Sequence, residues 1–259
     1  MKIVVCIKQV PRRDDVLRLN ADASWVEEGS LSFEANESDT YALEEALRLK
    51  EKHGGEVVVL TLGAADATKT IKEGLAKGAD RAIHLAGFGR LDATATAKAL
   101  AAAIRSESPD LVFTGLQSDD LGYGQTGVIL AELLDLVHAS IVIALETNDD
   151  GSSLRVKREL ESGWFQWVTM PLPALVTIQS GINKPRYASL KGIMGAKKKP
   201  VDAKGAADLG LDPAELAPAE VIGALSFPVR EKQTELLEGD AETVAAKLVE
   251  RLRGNGIIQ

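Results

Sequence analysis

The chain has 259 residues, 45% hydrophobic and only 4% aromatic, with a formal net charge of −8. That length and apolar content bury one large core, or one core plus an appendage, while the acidic balance argues against nucleic acid as the main ligand, because a phosphate backbone needs a basic field. A lone Cys6 excludes an internal disulfide and a cysteine-cluster metal site, and the lack of a signal-peptide layout or of an apolar run of about 18 residues predicts a cytoplasmic chain with no direct membrane insertion.

In chain order, Ile3 to Lys8 reads as a strand. Asn36 to Lys52 follows as a helix, capped by Asn36 or Ser38, with Ala42, Leu43, Ala46 and Leu47 on one face. Val57 to Leu62 is a buried strand and leads into a helix through Ile71 and Leu75. A strand at Arg81 to Leu85, a helix over Ala93 to Ile104, a strand at Leu111 to Thr114 and a helix over Gly124 to Leu134 continue the alternation. This order predicts an α/β class: a doubly wound, mostly parallel, Rossmann-like sheet with helices on both faces. Past residue 138 the rhythm breaks. Ser140 to Glu146 and Leu154 to Glu159 flank Asn148-Asp149-Asp150-Gly151, a hairpin signal, and Ala174 to Gln179 supplies one more strand.

Residues 183–200 carry Tyr187, Leu190, Ile193 and Met194 among Pro185, Gly192 and Gly195, fitting neither helical nor strand periodicity. They are expected to form a projecting loop whose apolar tip docks on a partner, with Lys197-Lys198-Lys199 as a solvated basic patch. Val201 to Arg230 reads as an extended arm over a surface. A final helix is capped by Asp240 and ended by Gly254, and Val244, Ala245, Leu248, Val249 and Leu252 share an apolar face that needs a groove. The expected organisation is therefore a nucleotide-binding α/β domain over 1–182, a partner-recognition loop over 183–200, and over 201–259 an arm and helix that pack on a partner subunit.

Ligand chemistry concentrates in Leu116 to Gly127, just past the carboxyl end of a strand and opening into a helix, where doubly wound folds collect ligands. Free amides near Gly124 to Gly127 suit a phosphate, and Gln125 and Thr126 offer further donors. A glycine-softened loop before an ordinary helix accounts for the pattern equally well, since it matches neither the P-loop nor the dinucleotide motif. Asn36-Glu37-Ser38-Asp39 repels a phosphate but suits the polar edge of a base or ribose hydroxyls; simple helix capping is the plainer account. His53, His84 and His138 lack metal-ligand spacing, and Asp119-Asp120 reads as a turn rather than an acid/base dyad. Trp164 and Trp167, around Phe165, read as core or interface packing.

Several motifs in one order resemble the β subunit of electron transfer flavoprotein: Val5-Cys6-Ile7-Lys8-Gln9-Val10-Pro11, Tyr41-Ala42-Leu43-Glu44-Glu45-Ala46, Gly78-Ala79-Asp80-Arg81-Ala82, Gln125-Thr126-Gly127, Val156-Lys157-Arg158-Glu159 and Pro185-Arg186-Tyr187-Ala188-Ser189-Leu190. The likeness implies a heterodimer with an α subunit that holds the redox-active FAD, while the present chain binds AMP structurally and performs no bond chemistry. By position it implicates Cys6, Asn36, Glu37, Ser38, Asp39, Leu62, Asp120, Gly124, Gln125, Thr126, Gly127, Val128 and Ala131 in the nucleotide site, with base and ribose toward Asn36 to Asp39 and phosphate at Gly124 to Gly127. It further implies docking on acyl-CoA and similar flavoprotein dehydrogenases through Leu190, with Tyr187, Ile193 and Met194 beside it, and electron delivery to a quinone oxidoreductase. The alternatives are a bifurcating subunit with a second FAD in place of AMP, or a free-standing nucleotide sensor. This chain departs from many members at Asn36-Glu37 and Ser162-Gly163, and has Arg13 where some carry an aromatic residue near the flavin.

Overall fold

A computed structural model describes residues 1–148, 151–229 and 234–258. Valine-rich and leucine-rich runs with no polar alternation form the central strands β1 (Lys2–Cys6), β4 (Glu56–Leu62), β5 (Arg81–Leu85), β6 (Leu111–Gly115) and β10 (Ala174–Ile178), because both faces of each strand are covered. The short strands β2 (Gln9–Pro11) and β3 (Phe33–Ala35) pair separately. With β7 (Val137–Thr147), β8 (Ser153–Glu159), β9 (Phe165–Pro171) and β11 (Val201–Lys204), the main sheet has nine strands in the order β11-β5-β4-β1-β6-β10-β7-β8-β9. It is parallel from β11 to β7 and antiparallel beyond. The predicted doubly wound α/β fold is what forms.

Helices α1 (Glu37–His53) and α2 (Thr68–Lys77) cover one face, packing Leu43, Leu47, Ile71 and Leu75 onto Val57, Val59 and Phe113. On the other face, α3 (Ala93–Arg105) and α4 (Thr126–Leu133) pack Leu100, Ile104 and Leu130 onto Val58, Leu60 and Val112. Asp92 starts α3 by accepting from the Ala95 amide at 2.7 Å. The chain leaves β1 for β4 on one side and enters β6 on the other. That reversal makes a topological switch point at the carboxyl ends of β1 and β6, the place where such sheets hold a ligand crevice.

Five expectations need correction. Residues 183–200 are not all loop: α5 (Leu190–Ala196) forms, started by Ser189, whose hydroxyl accepts from the Gly192 amide, and it packs on α2. The solvated patch loses Lys199, whose ammonium donates to the carbonyls of Leu75 (2.9 Å) and Ala79 (2.5 Å). The arm begins as β11, an edge strand pairing Val201 to Lys204 with Ala82 to Leu85, and Leu216 is buried beside α3; its expected end, Arg230, lies outside the described residues. The strand expected to begin at Ser140 begins at Val137, because the first half of β7 pairs with β10 before Ile141, at φ +58°, kinks the chain toward β8. The hairpin of β7 and β8 forms as expected, although Asp149 and Asp150 of the expected turn lie outside the described residues. Trp164 and Trp167 are exposed at the edge strand β9, so packing within the chain's own core is excluded for them. No described helix is long and apolar enough to cross a membrane.

Candidate functional site

The crevice is framed by strand ends. Cys6 closes β1, Leu62 closes β4 and Gly115 closes β6. The amino end of α1 is pulled tightly under the loop that follows β6: a Cβ on Gly115 would overlap Ser38 and Asp39, so only glycine permits the approach. Asp39 Oδ2 accepts from the Lys8 amide and Oδ1 from the Gly115 amide, both at 2.8 Å, which ties β1 to β6 across the switch point.

Asn36 occupies the expected cap position of α1, yet its side chain caps no helix amide. Its Nδ2 donates to Ser38 Oγ and to the Gln117 carbonyl, both at 3.0 Å, and its Oδ1 accepts from the Asp119 amide at 2.9 Å. The Ser38 hydroxyl donates to the same Gln117 carbonyl at 2.9 Å. At 1% exposure for Asn36 and 6% for Ser38 and Asp39, these side chains are buried, and Asn36 and Ser38 hold the 116–119 loop. Glu37 is exposed; its amide donates to Asp119, and Arg13 bridges Glu37 (2.6 Å) and Asp119 (2.8 Å).

Burial pushes the Asp39 carboxyl up to about 6 despite its two amide donors. It pushes the Cys6 thiol up as well, with the Asp39 charge adding to the effect, so Cys6 is an inert wall of the crevice. Asp120 goes the other way. Burial alone raises a carboxyl, but the Lys8 ammonium at 2.7 Å outweighs it and holds Asp120 below the ordinary range.

The loop then turns through Gly122 (φ +67°) and Gly124 (φ +64°), left-handed positions that side chains disfavour. It enters α4 with Gln125 at the cap position and no side-chain cap on the helix amides. Thr126, Gly127 and Val128 form the first turn, whose amides are the donors an anion would take. Gly127 itself faces inward: its absent Cβ would lie 2.6 Å from Thr114 Oγ1 and 2.7 Å from Thr177 Cγ2. The glycine thus lets α4 sit close on β6 and β10. Ala131, one turn on, is buried against the same sheet, while Val128 is partly exposed. Residues far apart in sequence therefore share the carboxyl side of the sheet: Cys6 and Leu62 end adjacent strands, and the 36–39 turn bonds the loop that leads into α4.

Sequence spacing did not reveal Lys8, which faces Asp120 and Ser118, or Arg13, which bridges the two loops. The histidines do not converge: His53 bonds Thr147, His84 bonds the Gly63 carbonyl inside the fold, and His138 lies exposed on β7.

The second group of candidate residues lies on and just before α5. Tyr187 is 95% exposed, Leu190 82% and Met194 73%, with Ile193 beside them. Ala196 on the opposite side is buried.

Residues 24–209 match the family model described as the electron transfer flavoprotein domain. The electron transfer flavoprotein subunit beta of Methylophilus methylotrophus is 36% identical over 258 residues, spanning 96% of this chain and 97% of its own. That of Bradyrhizobium diazoefficiens is 43% identical over 215 residues, 82% of this chain and 84% of its own. That of Thermoanaerobacterium thermosaccharolyticum is 38% identical across the full length of both chains.

Proposed function

The chain belongs to the electron transfer flavoprotein family as a β subunit, and from there we propose that it holds AMP in the crevice and docks donors for an α/β heterodimer whose α subunit carries FAD. The observation that carries the nucleotide half is the uncapped amino end of α4, opening at the switch point beside the strand ends of Cys6 and Leu62. The fit is chemical. A phosphate needs amide donors, which the first turn of α4 supplies, and a base needs an apolar slot with polar rims, which Cys6, Leu62 and the 36–39 turn supply.

In this role the residues position and do not make or break bonds. Asp39, Asn36 and Ser38 hold the two loops at a fixed separation, Gly115 and Gly127 let the helices approach, and Lys8 keeps Asp120 charged. FAD, held mainly by the α subunit, supplies the redox chemistry when bound. The outward apolar face of α5 is the docking surface for acyl-CoA and related dehydrogenases, from which electrons pass to a quinone oxidoreductase.

Denaturing the purified heterodimer and identifying the released nucleotides tests the nucleotide assignment. One AMP per β chain, with FAD lost when the α subunit is removed, is the expected result. FAD retained by the isolated β chain would replace AMP at this site and favour the bifurcating type; ATP would favour a sensor.

A further inference from the structure

A helix of seven residues is not stable alone, because nucleation costs more than so few hydrogen bonds return. α5 nevertheless stands at the surface with Leu190, Met194 and much of Ile193 in solvent, so its own apolar face does not hold it. Three attachments do. Gly192 lies so close to the Ala76 carbonyl that any Cβ would overlap it, and Lys199 closes the far end on the carbonyls of Leu75 and Ala79. At the near end Arg186 spreads its guanidinium over α1. Its amide and Nε donate to Glu44 Oε2 at 3.1 and 2.8 Å, Nη2 donates to Glu44 Oε1 at 3.1 Å, and Nη1 and Nη2 also engage Glu51.

The arrangement is more than a surface ion pair. The Glu44 side chain is 5% exposed and also accepts from Arg48, so burial, which would raise its carboxyl, is outweighed by the two guanidinium groups. Arg186 precedes Tyr187 directly and stands four residues before Leu190, where α5 begins. A fork fixed at this position sets where the exposed apolar residues begin.

We propose that Arg186 is a positioning residue for donor docking, clamping the 186–196 segment to Glu44 and Glu51 so that α5 already has its docking shape before a partner arrives. This rests on the docking role given to α5 above. Binding to a preformed helix avoids the ordering cost that a loose segment would meet on association.

The test uses the α/β heterodimer with Arg186→Met, Arg186→Lys, Arg186→Met with Glu44→Gln, and Leu190→Ala. Hydrogen exchange is read at Gly192 and Ile193, whose amides donate to Ser189, and KM and kcat are measured with purified acyl-CoA dehydrogenase as electron donor. Arg186→Met is expected to speed exchange at both amides and to raise the KM for the heterodimer about tenfold, equivalent to the ordering cost of roughly one residue, with the change confined to KM. Arg186→Lys, which keeps the charge but loses the fork, should fall between. The double variant should match Arg186→Met, since it removes the charge of a buried carboxylate left with Arg48 as its cation without restoring the clamp. Unchanged exchange in Arg186→Met, or an unchanged KM beside a raised KM in Leu190→Ala, overturns the positioning role while leaving docking intact. An unchanged KM in Leu190→Ala overturns docking itself, and with it any docking purpose for Arg186.

Discussion

Asp39 illustrates how a single residue joins fold and site. Its carboxyl titrates near 6 because burial disfavours the charge, whereas in an unfolded chain it titrates near 3.9. Between roughly pH 4 and 6 the folded form retains a proton that the unfolded form has lost, so this group makes stability fall as pH rises through that window and adds no slope above it. The span corresponds to on the order of 3 kcal/mol. Melting curves of wild type and Asp39→Asn from pH 4 to 7 should therefore converge or diverge across the window and run parallel above it; parallel curves throughout would assign the carboxyl an ordinary pKa. Leu190 makes a contrasting case. With 82% exposure it has no cavity to leave, so Leu190→Ala should keep the melting temperature and nucleotide content while electron transfer from an acyl-CoA dehydrogenase slows about thirtyfold, as for a lost central anchor of about 2 kcal/mol. A small artificial donor should still reduce the flavin normally. Equal losses with both donors would reject the docking role.

At the scale of elements, the start of α4 depends on what a side chain at Gly127 would strike. Because the open position points at Thr114 and Thr177, Gly127→Ala forces α4 off the sheet and should cost about 1–3 kcal/mol, read as a lower melting temperature. Thr177→Ser removes the offending methyl but keeps the hydroxyl that accepts from the Ile141 amide, and should recover part of the loss. Failure of that rescue, with nucleotide loss at full stability, would instead make Gly127 a direct phosphate contact. The alternation of strands and helices through α4 was legible because each element carries its own period: Val57 to Leu60 reads as a doubly covered strand, and Leu43 with Leu47 as a helix face. β9, β11 and α5 were not legible. Phe165 and Trp167 face solvent on an edge strand, Val201 to Lys204 is too short and polar to show a pattern, and α5 owes its shape to Arg186, Gly192 and Lys199, whose partners lie more than a hundred residues away. In the crevice, the loop glycines and the 36–39 turn were visible in sequence. Asn36 and Asp39 as cross-links between loops were not, since their bonds reach Gln117 and Gly115.

For the whole molecule, the open question of partnership falls on the C-terminal helix. α6 (Ala241–Gly254) begins with the Asp240 carboxylate accepting from the Thr243 amide at 2.8 Å, yet it buries none of its residues. Leu248 and Val249 remain 48% and 39% exposed. Its ties run to the segment just before it, Lys247 to the Glu238 carbonyl and Arg251 to Glu235, both at the surface. An amphipathic helix of 14 residues is marginal without a surface to cover its apolar face, and we propose that the α subunit of the heterodimer covers it. Ending the chain before Asp240 should consequently leave the melting temperature of the isolated β chain near that of the full chain, because none of the described residues removed is buried. Affinity for the α subunit, measured by titration calorimetry, should fall on the order of a hundredfold, as expected for losing two or three apolar anchors together. A marked drop in melting temperature would show that α6 packs on its own domain instead, and undiminished affinity would assign its apolar face to a partner other than the α subunit.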